Sequence, residues 1–159
     1  MQDDLYDRDV LAWSQHQAEL LRRLARGERA NDIDWTHVVE EIEDVGLCEL
    51  HAVESFLDLM LVHLLKVCGW PDSPSVRHWR AEIASFQKKA VPRFAPSMRQ
   101  RIDLPRLWRD AMEQLEGADY DDRPPRPWPA ACPFTLDELL NVRRAELEAC
   151  LGQGAIEGS

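Results

Sequence analysis

Apolar residues recur at helical spacing near the start of the chain. They return every three or four positions between Val10 and Leu24, as they do on one face of an amphipathic helix. A cluster of arginines then precedes Gly27, and cations followed by a glycine are typical of a helix C-terminus. The pattern predicts a first helix from about Asp7 to Arg26.

A second and longer apolar stripe follows Asp34, a residue type that favours the N-cap of a helix. The stripe continues to Gly69, and its later part, residues 56–68, is apolar nearly all round. A helix of that kind lies at the centre of a bundle. We therefore predict a long second helix, which Gly46 can bend or break and which forms an N-terminal hairpin with the first.

Shorter helices are expected in the rest of the chain, because all ten prolines lie at position 71 or later. They are predicted over about residues 75–91, 104–117 and 135–150, with an extended loop over 119–131. No strand-like alternation occurs. The predicted fold class is all-α, a helical bundle of about five helices built on a long N-terminal helical hairpin. We expect one domain over residues 1–151 and a disordered tail over 152–159.

Charge is unevenly distributed along the chain, whose net charge is −10. Residues 1–70 contain 15 acidic and 6 basic side chains, whereas residues 71–117 contain 6 acidic and 9 basic ones. The overall acidity disfavours nucleic acid as a partner, since phosphate attraction is long-ranged. We expect the bases to face the acidic first half, in the same chain or in a neighbour. Because aromatic residues interleave the basic segment 77–109, a nucleic-acid-binding module remains one alternative function.

The composition predicts a cytoplasmic protein without a membrane span. The acidic start has no apolar segment typical of a signal peptide, and the longest apolar stretch is shorter than the ~20 residues that a span needs. The four cysteines form no C-x-x-C pair and fit no disulfide framework, so we expect free thiols in a reducing compartment. No motif implies a cofactor.

One face of the second predicted helix carries residue types that bind metals. The candidates are His37, Glu41, Asp44, Cys48 and His51. They lie about 160° from the centre of the apolar stripe, so we expect a solvated acidic face. The alternative is a small metal-binding or hydrolytic enzyme that uses these carboxylates and histidines, and it needs a second helix to cover them.

Four polar residues fall within or beside the apolar stripes. They are Gln17, Glu49, His63 and Arg80. Because an unpaired buried charge is costly, we expect these residues to be paired or to border a cavity. The prediction is a buried ion pair between Glu49 and Arg80, with the other two residues completing the hydrogen bonds. The alternative is a small polar pocket between the first three helices.

Several short motifs follow one another along the chain in a characteristic order. They are Trp13-x-x-x-Gln17-Ala18, Asp34-Trp35, Glu40-Glu41-Ile42-Glu43-x-x-Gly46, Glu49, His63-Leu64-Leu65-Lys66, Trp79-Arg80-x-x-Ile83, and Cys132-Pro133-Phe134 before Leu139-Leu140. In this order and spacing, the chain resembles the bacterial domain-of-unknown-function family twenty-nine over about residues 6–142. One departure follows Lys66, where the family usually has an aromatic residue that Trp70 can replace. The resemblance implies a helical fold and no known activity, so it carries over no catalytic residue.

The chain contains no nucleophile elbow, P-loop or glycine-rich phosphate turn. We therefore predict a helical interaction or assembly module rather than an enzyme. Its candidate surface is an apolar patch on the first half of the second helix, namely Trp35, Val38, Val39, Ile42 and Val45. A straight helix of this length would overrun a compact domain of this size. This half therefore either projects and forms a homodimer, or breaks at Gly46 and folds back.

Overall fold

The computed structural model describes residues 3–154 of the chain, and the side chains of residues 5–152. Within this range the chain forms seven α-helices and no strand. The helices are α1 (Asp3–Arg8), α2 (Val10–Ala25), α3 (Trp35–Gly69), α4 (Val76–Ala90), α5 (Leu104–Gln114), α6 (Leu136–Asn141) and α7 (Arg144–Gly154). The predicted all-α fold is confirmed. No helix in these residues is long and apolar enough to cross a membrane.

Two of the predicted helices are each divided in the structure. Asp9 separates α1 from α2, because its backbone is extended and its carboxylate accepts a hydrogen bond from the Ala12 amide at 3.0 Å. This is N-cap geometry, which starts a new helix. Near the end of the chain, Val142 has extended backbone angles and ends α6 before α7 begins. Helical spacing alone does not reveal either interruption.

Helix α3 is continuous over its 35 residues, including Gly46. Asp34 caps its start, as predicted, since the carboxylate accepts from the His37 amide at 3.4 Å. The alternative in which the helix breaks at Gly46 is wrong. A glycine lowers helix stability by about 1 kcal/mol relative to alanine, which one position in a long helix tolerates.

The chain divides into two compact units between Cys48 and Glu49, within α3. We call residues up to 48 unit 1 and the following residues unit 2. The single domain over residues 1–151 stays a prediction. Helix α7 continues to Gly154, beyond the predicted start of the tail. The predicted disorder falls mainly on residues 155–159, which lie outside the described range.

Unit 1 has a small apolar core. Its buried members are Trp13, Leu20, Ile33 and Val38, and partly buried residues such as Leu5 and Tyr6 pack against them. The core therefore joins α2 to the start of α3 and to the loop between them. Because this core contains few apolar residues, polar interactions contribute a larger share of the stability of unit 1.

Unit 2 has a much larger core built around the second half of α3. Six residues of this half have no exposed surface and form its centre: Val53, Leu57, Met60, Leu61, Leu64 and Leu65. Residues from α4 to α7 surround them in one continuous cluster. The stretch that is apolar nearly all round is therefore the central helix of this unit, as predicted.

An extended, proline-rich strap over residues 118–135 connects α5 to α6. Prolines cannot donate backbone hydrogen bonds, and tryptophan indole N–H groups supply hydrogen bonds between the strap and the end of α3. Trp70 Nε1 donates to the Arg123 carbonyl at 2.7 Å, and Trp128 Nε1 donates to the Leu65 carbonyl at 2.9 Å. Gly69 allows this approach, because a Cβ there would lie 2.9 Å from the Trp128 ring.

Candidate functional site

Asp34 is the centre of a hydrogen-bonded network in unit 1. Its Oδ2 accepts from Trp13 Nε1 at 3.1 Å and lies 2.7 Å from His37 Nδ1. Its amide donates to Gln17 Oε1 at 2.9 Å. Burial opposes ionisation of Asp34, but the hydrogen bonds from His37 and Trp13 outweigh it and hold the pKa below its usual value.

Gln17 is the predicted polar residue that proves fully buried, with 2% of its surface exposed. One end of its amide fixes the Asp34 backbone, as described above. The other end, Nε2, has no hydrogen-bond partner among the described residues. Gln17 therefore orients the N-cap residue of α3 within unit 1. Its position in an apolar stripe of the sequence does not indicate this role.

Tyr6 extends the same network towards α3. Its hydroxyl donates to Glu41 Oε1 at 2.6 Å, and its ring stacks on His37 with centroids 3.9 Å apart. The hydrogen bond to the Glu41 carboxylate, aided by desolvation, raises the pKa of Tyr6 to about 12. No sequence pattern indicates a role for Tyr6, since a single aromatic residue in an acidic segment has no periodicity.

The predicted metal-ligand residues do not assemble into a site. His37 and Glu41 are engaged with Asp34 and Tyr6, whereas Asp44, Cys48 and His51 are exposed. Among the described residues, no group of three or more His, Cys, Asp or Glu side chains is arranged to hold a metal ion. The geometry agrees with a solvated acidic face.

The predicted buried ion pair between Glu49 and Arg80 is wrong. Glu49 instead accepts two hydrogen bonds from Arg93 Nη1, at 2.9 and 3.1 Å, and both side chains are 47% exposed. A glutamate at the edge of an apolar stripe can extend its carboxylate into solvent. Arg80 pairs with Glu148 at 3.3 Å, and Glu148 also accepts from Arg144 at 2.6 Å.

His63 is half-buried and lies close to the carbonyl oxygen of its own helical turn. Its Nδ1 is 2.8 Å from the Leu59 oxygen, and its ring meets Phe86 edge to face. Burial lowers the pKa of His63, so the neutral form is favoured. Glu49, His63 and Arg80 thus each have a separate partner in unit 2, and these partners account for them without a shared pocket.

The first half of α3 carries an exposed apolar row. We call this row the α3 face: Trp35 (55% exposed), Val39 (51%), Ile42 (68%) and Val45 (68%). Val38 was predicted to belong to it but is buried in the core of unit 1. Of the carboxylates on this part of α3, that of Glu43 flanks the row, whereas those of Glu40 and Asp44 project towards the opposite side of the helix. They make no hydrogen bond or ion pair with any described residue.

Most bases of the segment 77–109 that have a partner reach carboxylates of unit 2. Arg93 and Arg106 reach Glu49 and Glu54 of α3, which agrees in part with the expectation that they face the acidic first half. Three of the four interleaved aromatics, Trp79, Phe86 and Trp108, are buried as expected of core residues, and Phe94 is partly buried against the same core. Both observations weaken the nucleic-acid alternative.

An exposed basic and apolar patch remains where α4 ends. We call it the α4 end: Lys88, Lys89 and Val91. Val91 is 46% exposed, and the Lys89 ammonium lies over the Phe86 ring, 5.8 Å from its centroid. Lys88 makes no hydrogen bond or ion pair with the described residues. The α4 end is thus opposite in charge to Glu43, which flanks the α3 face.

Comparisons with known proteins agree with the helical fold and with the motif order. The model of the domain of unknown function DUF29 matches residues 5–143. A similar solved structure is an alpha-helical protein of unknown function from Rhodospirillum rubrum. It is 27% identical, with a TM-score of 0.64, and the match covers 93% of this chain and 96% of that one. A comparison with curated proteins found no match.

Proposed function

Because the chain belongs to the DUF29 family, whose function is unknown, we propose a function from its surface: a helical assembly module that pairs with a second copy of itself. The observation that carries the proposal is the exposed α3 face. Single exposed apolar residues are ordinary, but a contiguous row on one helix is typical of an interaction surface. The row recurs at the three- and four-residue spacing with which one helix packs on another.

Helix α3 itself gains from such a partner. Every residue from Ile42 to Gly46 is exposed, so this stretch has little packing of its own within the chain. Isolated helices are marginally stable in water, and most helices in proteins depend on packing of an apolar face. Burying a large apolar side chain contributes about 1.5–3 kcal/mol to the free energy of association. Burial of the four residues of the α3 face would therefore offset part of the entropic cost of forming a dimer.

Charge complementarity supports a second copy as the occupant. The α3 face is apolar and is flanked by the Glu43 carboxylate, which has no partner among the described residues, and the α4 end combines Val91 with lysines. An α3–α3 pairing would instead bring carboxylates together, since Glu40, Glu41, Glu43 and Asp44 have no base among them. Two copies related by a two-fold axis can exchange two identical contacts, each joining an α3 face to an α4 end.

Light scattering on a sizing column tests this proposal. We expect the parent chain to have the mass of a dimer at high concentration and Ile42→Ser to have that of a monomer. The matched control is Leu11→Ser, because Leu11 is 66% exposed on α2 and lies outside the α3 face. A parent chain that is monomeric at all concentrations, or an Ile42→Ser variant as dimeric as the control, would overturn the proposal.

The other predicted functions have less support. Two of the metal-ligand candidates, His37 and Glu41, already serve the Asp34 and Tyr6 network, and several bases of segment 77–109 already have carboxylate partners. Metal analysis of the purified protein tests the enzyme alternative, which requires a stoichiometric transition metal. A cytoplasmic location in a bacterium is part of the same proposal and rests on the composition and the family resemblance.

A further inference from the structure

A cleft of about 480 Å³ lies in unit 2, and none of the residues of the α3 face or the α4 end lines it. One wall is the end of α3 and the turn after it, from Gly69 to Pro74. The other wall is the start of the strap, from Tyr120 to Arg126. The proposed dimer contact does not involve the residues of this cleft, so dimer formation does not explain their arrangement.

Arg123 is held in the cleft wall by its backbone alone. Its amide donates to the Tyr120 carbonyl and its carbonyl accepts from the Tyr120 amide, both at 3.2 Å. The same carbonyl accepts from Trp70 Nε1 at 2.7 Å. The guanidinium, by contrast, makes no hydrogen bond or ion pair with the described residues. The fold thus fixes the position of an arginine whose five donors are available.

The turn that positions Arg123 is strained. Asp121 and Asp122 have φ angles of 56° and 55°, in the left-handed region that favours glycine. Two successive non-glycine residues in this region cost on the order of 1 kcal/mol or more each, and such strain is frequently found at ligand sites. The turn brings Tyr120 and Arg123 together on one side of the cleft.

Aromatic rings and prolines form much of the remaining lining of the cleft, together with Ser73 and the acidic residues Asp72 and Asp121. Trp70 and Tyr120 meet edge to face with centroids 4.7 Å apart, and Pro71, Pro74 and Pro124 also line it. Rings and prolines lose little entropy when they contact a ligand. Arg126 adds a second cation to the lining of the cleft. Its partner Asp72 is 2.9 Å away, but both are more than 60% exposed, so a ligand can compete for this weak pair.

We propose that the cleft binds a small molecule in which an oxyanion is attached to a flat ring. Arg123 receives the oxyanion through paired N–H donors, and Arg126 assists it. The ring lies against the Trp70, Tyr120 and proline surfaces. Carboxylates and phosphate esters share this recognition chemistry, because both present two oxygens to the planar guanidinium.

Titration calorimetry with phenyl phosphate, benzoate and inorganic phosphate tests the site. We expect at least one of the two ring-bearing probes to bind the parent chain, and inorganic phosphate to bind at least tenfold more weakly. Whichever ring-bearing probe is tighter identifies the oxyanion. The NMR signal of the Trp70 indole N–H should shift on binding, since this group borders the cleft.

Arg123→Gln should weaken the binding of the tighter probe at least tenfold. Its fold should be unchanged, because the hydrogen bonds that anchor the turn use the Arg123 backbone. The matched control is Arg109→Gln, which removes an exposed arginine of α5 that does not line the cleft. The proposal is overturned if neither ring-bearing probe binds, if Arg123→Gln binds the tighter probe like the control, or if inorganic phosphate binds as tightly as that probe.

Discussion

Unit 1 and unit 2 are stabilised in different ways, although α3 contributes to both. Unit 2 encloses a helix that is apolar nearly all round, and its central leucines have no exposed surface. Among its described residues, unit 1 buries four apolar side chains, and it relies on the hydrogen bonds that converge on Asp34. Because a short segment cannot bury much apolar area, specific polar contacts take a larger share of its stability.

The largest effect is expected from a cavity in the core of unit 2. Leu57→Ala should lower the free energy of unfolding by about 2–5 kcal/mol, because Leu57 is fully buried among well-packed neighbours. Urea unfolding followed by circular dichroism measures this loss. Leu20→Ala in unit 1 is the matched change and should cost less, since a small core collapses around a cavity more easily. An equal or greater loss for Leu20→Ala would contradict the contrast between the units.

Removing the charge at the centre of unit 1 should have a smaller and local effect. Asp34→Asn weakens the charge-assisted bonds from Trp13 and His37, and should cost roughly 1–3 kcal/mol. Hydrogen exchange of the amides in α2 and at the start of α3 measures it. Asp44→Asn is the control, because Asp44 is exposed and makes no hydrogen bond. Unchanged protection in Asp34→Asn would show that the network is not needed.

The same carboxylate should make unit 1 sensitive to acid. The pKa of Asp34 is lowered in the folded chain, so its stabilisation is complete above its unfolded pKa of about 3.9. It is lost as the pH falls through the lowered folded value. We expect the exchange protection of unit 1 to fall in this acid range in the parent chain, with a weaker fall in Asp34→Asn. Parallel pH profiles would argue against the assignment.

Gly69→Ala should loosen the proline-rich strap on unit 2. The added methyl group would lie 2.9 Å from the Trp128 ring, and overpacking of this kind costs about 1–3 kcal/mol. Gly46→Ala is the matched control, since no atom lies within 4 Å of a Cβ at that position. The control should instead stabilise α3 by up to about 1 kcal/mol. Thermal unfolding that shifts both variants in the same direction would be inconsistent with this account.

The smallest effect is expected at Glu49. Its pair with Arg93 is nearly half exposed on both sides, and such pairs contribute about 0–1 kcal/mol. Chemical unfolding of Glu49→Ala should therefore differ little from that of the parent chain. A loss of about 3 kcal/mol or more would mean that Glu49 is buried after all, because breaking a buried pair leaves an uncompensated charge.

The fold was predictable where one physical term dominates. The apolar stretch around Leu57 could only be a buried helix, and Asp34 had the chemistry of an N-cap before any contact was known. The exposed row from Trp35 to Val45 was also predictable, except for Val38, whose burial depends on how α2 packs against it. Apolar residues that recur at helical spacing indicate an apolar face of a helix. Which residues of that face are buried depends on where the neighbouring helix packs.

Contacts between distant side chains were less predictable. Glu49 had several possible basic partners, and the positions of the helices within unit 2 bring Arg93 rather than Arg80 to it. The links from Tyr6 to Glu41 and from Gln17 to Asp34 span 35 and 17 positions, and no periodicity encodes them. The Arg123 cleft depends on two aspartates with positive φ, which the sequence pattern does not indicate.

The most direct test of the central claim exchanges the charges of the two proposed contact surfaces. One variant carries Glu43→Lys, at the position that flanks the α3 face, and the other carries Lys88→Glu with Lys89→Glu. Each variant alone places like charges at both contacts of the dimer, so light scattering should find monomers. An equimolar mixture restores opposite charges at both contacts and should have the mass of a heterodimer. Variants that remain dimeric alone, or a mixture that remains monomeric, would contradict pairing between the α3 face and the α4 end.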